Sequence, residues 1–206
     1  MHTKKHWEKI YSTKATNKVS WFQQHAEHSL KLIRKANTPA TASIIDVGGG
    51  ASILVDELLA DGYQNITVLD IAREALSSAR TRLGDRQSEV QWLEANILDT
   101  ELPDRAYDLW HDRAVFHFLT SPEDRHTYIR TMLRSVKQGG LIIIATFAED
   151  GPTTCSGLPV MRYSVEELHA EVGDSFLLLG HERELHQTPT GNEQSFIYCL
   201  FRKTVP

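Results

Sequence analysis

Cysteine is scarce: the 206 residues contain two, Cys155 and Cys199. Two thiols cannot build a disulfide framework, and a reducing, cytoplasmic setting is the default expectation. Long apolar runs are missing as well. The longest are of strand length, so no membrane span is expected. Nor is there a block of like charge. The net charge of −5 has both signs interspersed, which excludes the clustered Lys and Arg of a nucleic-acid binder. The stretch from Met1 to Trp7 carries charge but no apolar core, so no secretory leader is expected. His25 and His28 stand one turn apart with no third ligand near them in sequence, so no metal site is expected. Asn65-Ile66-Thr67 fits a glycosylation sequon but falls at a strand start in a chain read as cytoplasmic. Without repeats, linkers or low-complexity tracts, residues 1–206 read as a single domain with a sizeable core.

The informative stretch is Ser43-Ile44-Ile45-Asp46-Val47-Gly48-Gly49-Gly50-Ala51-Ser52. Ile44, Ile45 and Val47 suit a strand buried on both faces. Three glycines then allow a sharp turn or the close approach of a ligand. Behind them, residues 53–59 carry apolar side chains at helical spacing, with Ser52 as the candidate N-cap. A dinucleotide fold would place a third glycine further along, as in G-x-G-x-x-G; here Ala51, Ser52 and Ile53 follow instead.

Other elements follow in order. Trp7 and Tyr11 share one face of a short helix, followed by Val19-Ser20-Trp21-Phe22-Gln23. Aromatics so early serve as core packing or as a lid that excludes water from a ligand, and the two roles are compatible. Leu30, Leu32 and Ile33 belong to a helix ending by Asn37-Thr38-Pro39. Gly62 closes the helix after the glycine turn. Residues 66–70 form a second strand ending on Asp70, about twenty residues past the turn, where a carboxylate accepts from two vicinal ribose hydroxyls. Residues 90–94 and 107–111 are further strands. Ser121-Pro122-Glu123-Asp124 opens a helix with an N-cap, a proline at N1 and early acids. Residues 141–146 form a fully buried strand. Tyr163-Ser164 opens a last helix. Residues 176–180 and 196–201 are the last strands, joined by a polar loop through His186 and Gly191. Alternating strands and helices imply a mainly parallel α/β sheet covered on both faces, with its ligand beyond the carboxyl strand ends.

Asp46-Val47-Gly48-Gly49-Gly50 resembles the D-x-G-x-G motif of class I S-adenosylmethionine (SAM) methyltransferases, and the likeness covers nearly the whole chain. It implies a Rossmann-like, doubly wound seven-stranded sheet, mainly parallel, with the last strand antiparallel. It also implies SAM as cofactor. Gly48, Gly49 and Gly50 would pass under its amino acid part and Asp46 would lie near its ammonium. Asp70, with Ile71, would take the ribose. Asn96, where the family commonly has an acid, would accept from the adenine amino group, with Ile97 beside it. Trp7, Tyr11 and Trp21 resemble the N-terminal cap over the cofactor in thiopurine, thiol and tellurite-resistance methyltransferases, here residues 1–37. Tyr107-Asp108-Leu109-Trp110-His111-Asp112-Arg113-Ala114, with Arg125 and Tyr128 downstream, is similar to the D-R-[AG] and R-x-x-Y of those families. Arg113 stands where elongation-factor lysine methyltransferases usually have Lys.

Methyl transfer from a sulfonium needs mainly alignment in a dry pocket. A thiol acceptor ionises with modest help, whereas an ammonium acceptor must first lose a proton. His111, Asp112, His117, Cys155, Arg162, Tyr163 and His186 are the candidates near the expected mouth. His111 and Asp112 are preferred as catalytic groups, with His111 also beside the cofactor. A small thiol, chalcogen or heterocyclic acceptor is the expected substrate. The alternatives are a protein lysine methyltransferase and a fold that binds SAM without turnover.

Overall fold

A computed structural model describes residues 4–204; the first three residues of the Met1–Trp7 stretch lie outside them. The helix α1 (Lys4–Thr13) is followed by a 3₁₀ turn and α2 (Glu27–Lys35). Strand β1 (Ser43–Val47), α3 (Leu54–Ala60), β2 (Asn65–Asp70), α4 (Arg73–Leu83), β3 (Val90–Glu94) and β4 (Tyr107–Arg113) then alternate. Next come α5 (Pro122–Ser135), β5 (Val136–Phe147), the two-residue strands β6 (Thr154–Cys155) and β7 (Leu158–Pro159), α6 (Val165–Val172), β8 (Phe176–Gln187) and β9 (Glu193–Lys203). Seven strands form one sheet in the order β3-β2-β1-β4-β5-β9-β8. Its neighbours from β3 to β5 are parallel, and β9 alone runs antiparallel to both β5 and β8. β6 and β7 form a separate small hairpin.

The sheet forms because its strands are apolar on both faces. Ile44 packs into the layer containing α2 and α3, whereas Ile45 and Val47 pack into the layer containing α5 and α6. Each such fully buried side chain contributes about 1.5–3 kcal/mol. Local signals set the helix ends. Ser121 caps α5 by accepting from Asp124 N–H at 3.1 Å, and Ser164 with Glu167 forms a complete capping box on α6. After α3, Gly62 takes a positive φ of 88°. Its N–H reaches Leu59 O and that of Tyr63 reaches Leu58 O, the paired bonds of a Schellman stop.

Several boundaries differ from the sequence expectation. Ser52 is not the N-cap of α3, a position that falls on Ile53; its hydroxyl accepts from Leu54 N–H at 3.1 Å, two residues on. Strand β5 starts at Val136, which pairs with Tyr107 across a register shift, and carries Gly139 and Gly140 within it. β8 (12 residues) and β9 (11 residues) run well beyond their apolar centres, because cross-strand pairing continues through polar residues to Gln187↔Glu193. His186 is therefore a strand residue, not a loop residue. Leu30, Leu32 and Ile33 of α2 are buried with Ile44, Leu54 and Leu58, so α2 belongs to the layer covering the sheet.

Candidate functional site

The carboxyl ends of β1, β2 and β4 converge under the glycine turn. Asp46 and His111 face each other in register across β1 and β4. His111 Nδ1 lies 2.7 Å from Asp46 Oδ1, and Nε2 lies 2.8 Å from Ser29 Oγ of α2. A carboxylate only accepts, so Nδ1 carries the proton, and in the neutral ring Nε2 accepts from the Ser29 hydroxyl. The other oxygen of Asp46, Oδ2, is buried without a partner among the described residues. It lies directly beneath the turn: a Cβ on Gly49 would come within 2.3 Å of it. Gly48 has φ +71°, and a Cβ there would meet Val115 Cγ2 at 2.0 Å. Backbone and close packing both demand glycine at Gly48. Gly50 packs behind the turn on Asp70 and Ala75 and lines neither cavity of the cleft.

At the end of β2, Asp70 Oδ1 accepts from Ala72 N–H at 2.8 Å. Burial, reinforced by the charges of Asp46 and Glu8, pushes its carboxyl up to about 7. Ile71, Ala95 and Ile97 continue the same wall. Asn96 does not point into the cleft. Its Oδ1 accepts from Leu98 N–H at 3.1 Å and its Nδ2 donates to Asp99, closing a local turn. The oxygen of Asn96 expected to receive an adenine amino group is therefore already engaged.

Asp112 is likewise committed. It is fully buried and accepts from Val115 N–H at 2.9 Å, from Phe116 N–H at 3.1 Å and from the Tyr128 hydroxyl. Burial raises its carboxyl to about 6 against these donors. It lines neither cavity, so its geometry is that of a clamp on the loop after β4 and not of a reacting group. That loop begins with Ala114 at φ +68°, a left-handed conformation that costs a residue with a Cβ roughly 1–2 kcal/mol.

Two adjoining cavities form the cleft, and they share Tyr11, Trp21, Gly48 and Arg113. The first holds Asp70, Ile71, Ile97, Phe118 and Cys155. The second holds Asp46, Gly49, Ser52 and His111. The roof is aromatic. Trp7 meets Phe118 edge-on at 5.0 Å and Trp21 at 5.8 Å, and Tyr11 meets Trp21 at 6.1 Å. Glu8 fastens α1 across the cleft by accepting from Arg73 N–H at 2.8 Å and Glu74 N–H at 3.2 Å, the free donors of the α4 N-terminus. The structure thus brings together Trp7, Tyr11, Trp21, Asp46, Gly48, Gly49, Asp70, Ile71, Ile97 and His111.

The remaining candidates divide. Cys155 reaches the cleft from the β6–β7 hairpin, with burial pushing its thiol up to about 11. His117 is buried among Phe118, Phe147 and Phe196, and burial lowers it to about 3. Tyr163 is buried in the opposite core layer, and Arg162 bonds Gly151 O at 3.3 Å. His25 pairs with Glu57 and His28 lies by Glu182; no metal-holding cluster occurs among the described residues. Asn65 donates to Thr41 O. Sequence reasoning missed Glu8, Ser29 and Phe118. Only Phe118 had a signal, an apolar residue just after the β4 strand end; the other two act on elements distant in sequence.

Residues 45–144 match the family model of the methyltransferase domain. An uncharacterized methyltransferase of Mycobacterium tuberculosis is 30% identical over 118 residues, 57% of this chain and 56% of that protein. The human EEF1A lysine methyltransferase 2 is 21% identical over 191 residues, 86% of this chain and 75% of that protein. The chain thus spans little over half the length of the mycobacterial relative. Among solved structures, one from work on the conversion of a disulfide bond into a thioacetal group during echinomycin biosynthesis superposes with a TM-score of 0.81. It is 16% identical and covers 98% of this chain and 94% of that one. The N-methyltransferase NodS from Bradyrhizobium japonicum in complex with S-adenosyl-L-homocysteine gives 0.73, at 18% identity, covering 95% and 97%. The family match, the strand order and the glycine turn above Asp46 together mark residues 45–144 as a methyltransferase domain, and the whole chain has the fold of SAM-dependent methyltransferases.

Proposed function

We propose that the chain transfers the methyl group of SAM to a small nucleophilic acceptor, a thiol, chalcogen or heterocycle. SAM when bound supplies an electrophilic methyl on a sulfonium. The residues present fit it. The unpartnered Asp46 Oδ2 is an acceptor for an ammonium, directly or through water, and the backbone of Gly48 and Gly49 leaves space for a chain above it. Asp70 lines the first cavity as the acceptor for ribose hydroxyls, and Ile71 and Ile97 offer apolar faces for a purine. His111 and Ser29 hold Asp46 oriented, and Asp112 holds the loop after β4. Both act by position.

The observation that carries the acceptor class is electrostatic. The acids lining the two cavities are Asp46 and Asp70, one committed to His111 and the other to the α4 entry. Among the described residues, no further carboxylate lines the cleft around Trp7, Trp21, Phe118 and Cys155 to receive the proton of an ammonium. A thiol ionises with only modest help, and a pyridine-type ring nitrogen has no proton to lose before it attacks. The sulfur chemistry named for the echinomycin structure is consistent with this choice. A lysine acceptor is the second reading, favoured by the alignment of 191 residues with the human lysine methyltransferase. Incubating whole lysate with the protein and tritiated SAM, then separating protein from small molecules, tests both. Label in the small-molecule fraction is expected; label mainly in protein overturns the acceptor class. SAH binding by calorimetry with no label in either fraction would favour a binder without turnover.

A further inference from the structure

Three residues of the cap segment, Ser20, Trp21 and Gln23, are gripped by side chains of β4 and β8. His186 Nε2 donates to Ser20 O at 2.8 Å. Arg113 Nη1 donates to Trp21 O at 3.2 Å. Gln23 Nε2 donates to Glu184 Oε1 at 2.8 Å. The three grips share one buried cluster. Arg113 Nε donates to Tyr198 OH at 2.6 Å, Tyr198 donates to Glu184 Oε2 at 2.6 Å, and the Arg113 guanidinium lies 4.4 Å over the Phe196 ring. The Arg113 and Glu184 side chains are about nine-tenths buried. Burial alone would raise Glu184, but His186, the Arg113 charge and Tyr198 outweigh it and hold the carboxyl at about 2. Arg113 is therefore fully engaged and offers no free charge to an acceptor.

The helix before this segment is held differently. Ile10 is the buried residue of α1, and its polar ties, Lys4 to Glu94 and Glu8 to the α4 N-terminus, lie at the exposed rim. In contrast, Val19 and Ala26 flank the gripped segment at 3% and 2% exposure.

We propose that Arg113 is a positioning residue: with Glu184 and His186 it clamps Ser20–Gln23, so that Trp21 is a fixed wall of the methyl-transfer site and α1 alone opens as its lid. The two halves of the cap thus have separate duties. Planar guanidinium geometry matters here, because one side chain must reach a carbonyl, a phenol and a carboxylate at once. The functional consequence rests on the proposed methyl transfer; the clamp itself does not.

Hydrogen exchange of the full chain, alone and with SAH, tests it. In the unmodified protein, amides of residues 19–24 should be protected equally in both conditions, while α1 gains protection with SAH. Arg113→Gln should raise exchange in 19–24 by at least about tenfold, leave α1 unchanged, weaken SAH by about tenfold and blunt the tryptophan fluorescence response. Arg113→Lys should recover part of this. Gln23→Ala and His186→Phe, which leave the buried charge pair in place, should loosen the same segment by a smaller factor and carry the test if Arg113→Gln does not fold. Unchanged exchange in 19–24 in these variants, or a segment as open as α1 in the unmodified protein, overturns the clamp. Failure of the unmodified protein to bind SAH would remove the proposed function but leave the exchange contrast to decide the clamp.

Discussion

At one end of the cleft, Asp70, Ile71, Ala95 and Ile97 stand on or just past the ends of β2 and β3, so neighbouring strands place them. At the other end, Trp7, Trp21, Arg113, Phe118 and Cys155 arrive from the cap, from β4 and the loop after it, and from the β6–β7 hairpin. The first end is built by backbone register. The second is held by side-chain contacts between segments far apart in the chain, such as Gln23 with Glu184 and Arg113 with Tyr198. Damage at the first end should therefore act locally on ligand affinity. Damage at the second should change how segments sit and move.

The glycine turn belongs to both ends and should give the largest effect. Gly48→Ala meets a left-handed φ and a methyl at 2.0 Å, and SAH affinity by calorimetry should fall by about 100-fold or more, roughly 2.7 kcal/mol. Retained affinity would show that the turn yields and that Val115 moves aside.

Asp70→Asn sharpens the first end. It should weaken SAH by about tenfold above neutral pH, equivalent to roughly 1.4 kcal/mol. In the unmodified protein, ribose hydroxyls need the ionised carboxylate, so affinity should rise with pH through about 7, and the variant should lose that rise. The stability effect has the opposite sign. Burial raises the folded value of this acid above its ordinary value of 3.8, so its contribution is fully present below the latter and is lost as pH rises through about 7. A pH-independent affinity would dismiss Asp70 as the ribose group.

Asp112→Ala separates holding from reacting. It strands two loop N–H groups and the Tyr128 hydroxyl, and urea unfolding should show a loss of about 3 kcal/mol, with SAH affinity of the folded fraction changed by less than about threefold. A stable protein that binds SAH normally yet has lost all turnover would restore Asp112 as a catalytic group. The smallest effect belongs to Asn96→Ala, whose side chain closes its own turn; SAH affinity should change by less than about threefold. A tenfold loss would mean that the side chain swings into the cleft on binding.

Much of the first end could be read along the chain. A buried parallel strand must be apolar on both faces, a sharp turn under a ligand must be glycine, and an acid at the next strand end follows at a set distance, so Asp46, Gly48, Gly49 and Asp70 were legible as a group. Helix stops and starts at Gly62, Ser121 and Ser164 were legible because capping is a contact between neighbours in sequence. Asn96 and Asp112 were legible in position but not in role, because an acceptor's value depends on which donors surround it. Asp112 accepts from a phenol on α5, and Asn96 from its own loop.

The amino-acid sequence by itself determined the alternating elements, the sheet's apolar strands and the glycine turn, since each depends on residues within a few positions of one another. Only the tertiary structure decided that α2 is core and α1 is roof, that Glu8 caps a helix some sixty-five residues away and that Arg113 is spent on its neighbours. It also decided that β8 and β9 continue past their apolar centres, because a strand's length depends on the partner that receives its hydrogen bonds. Burial, pairing and free charge are properties of the packed surroundings, and these exist only once distant segments have met.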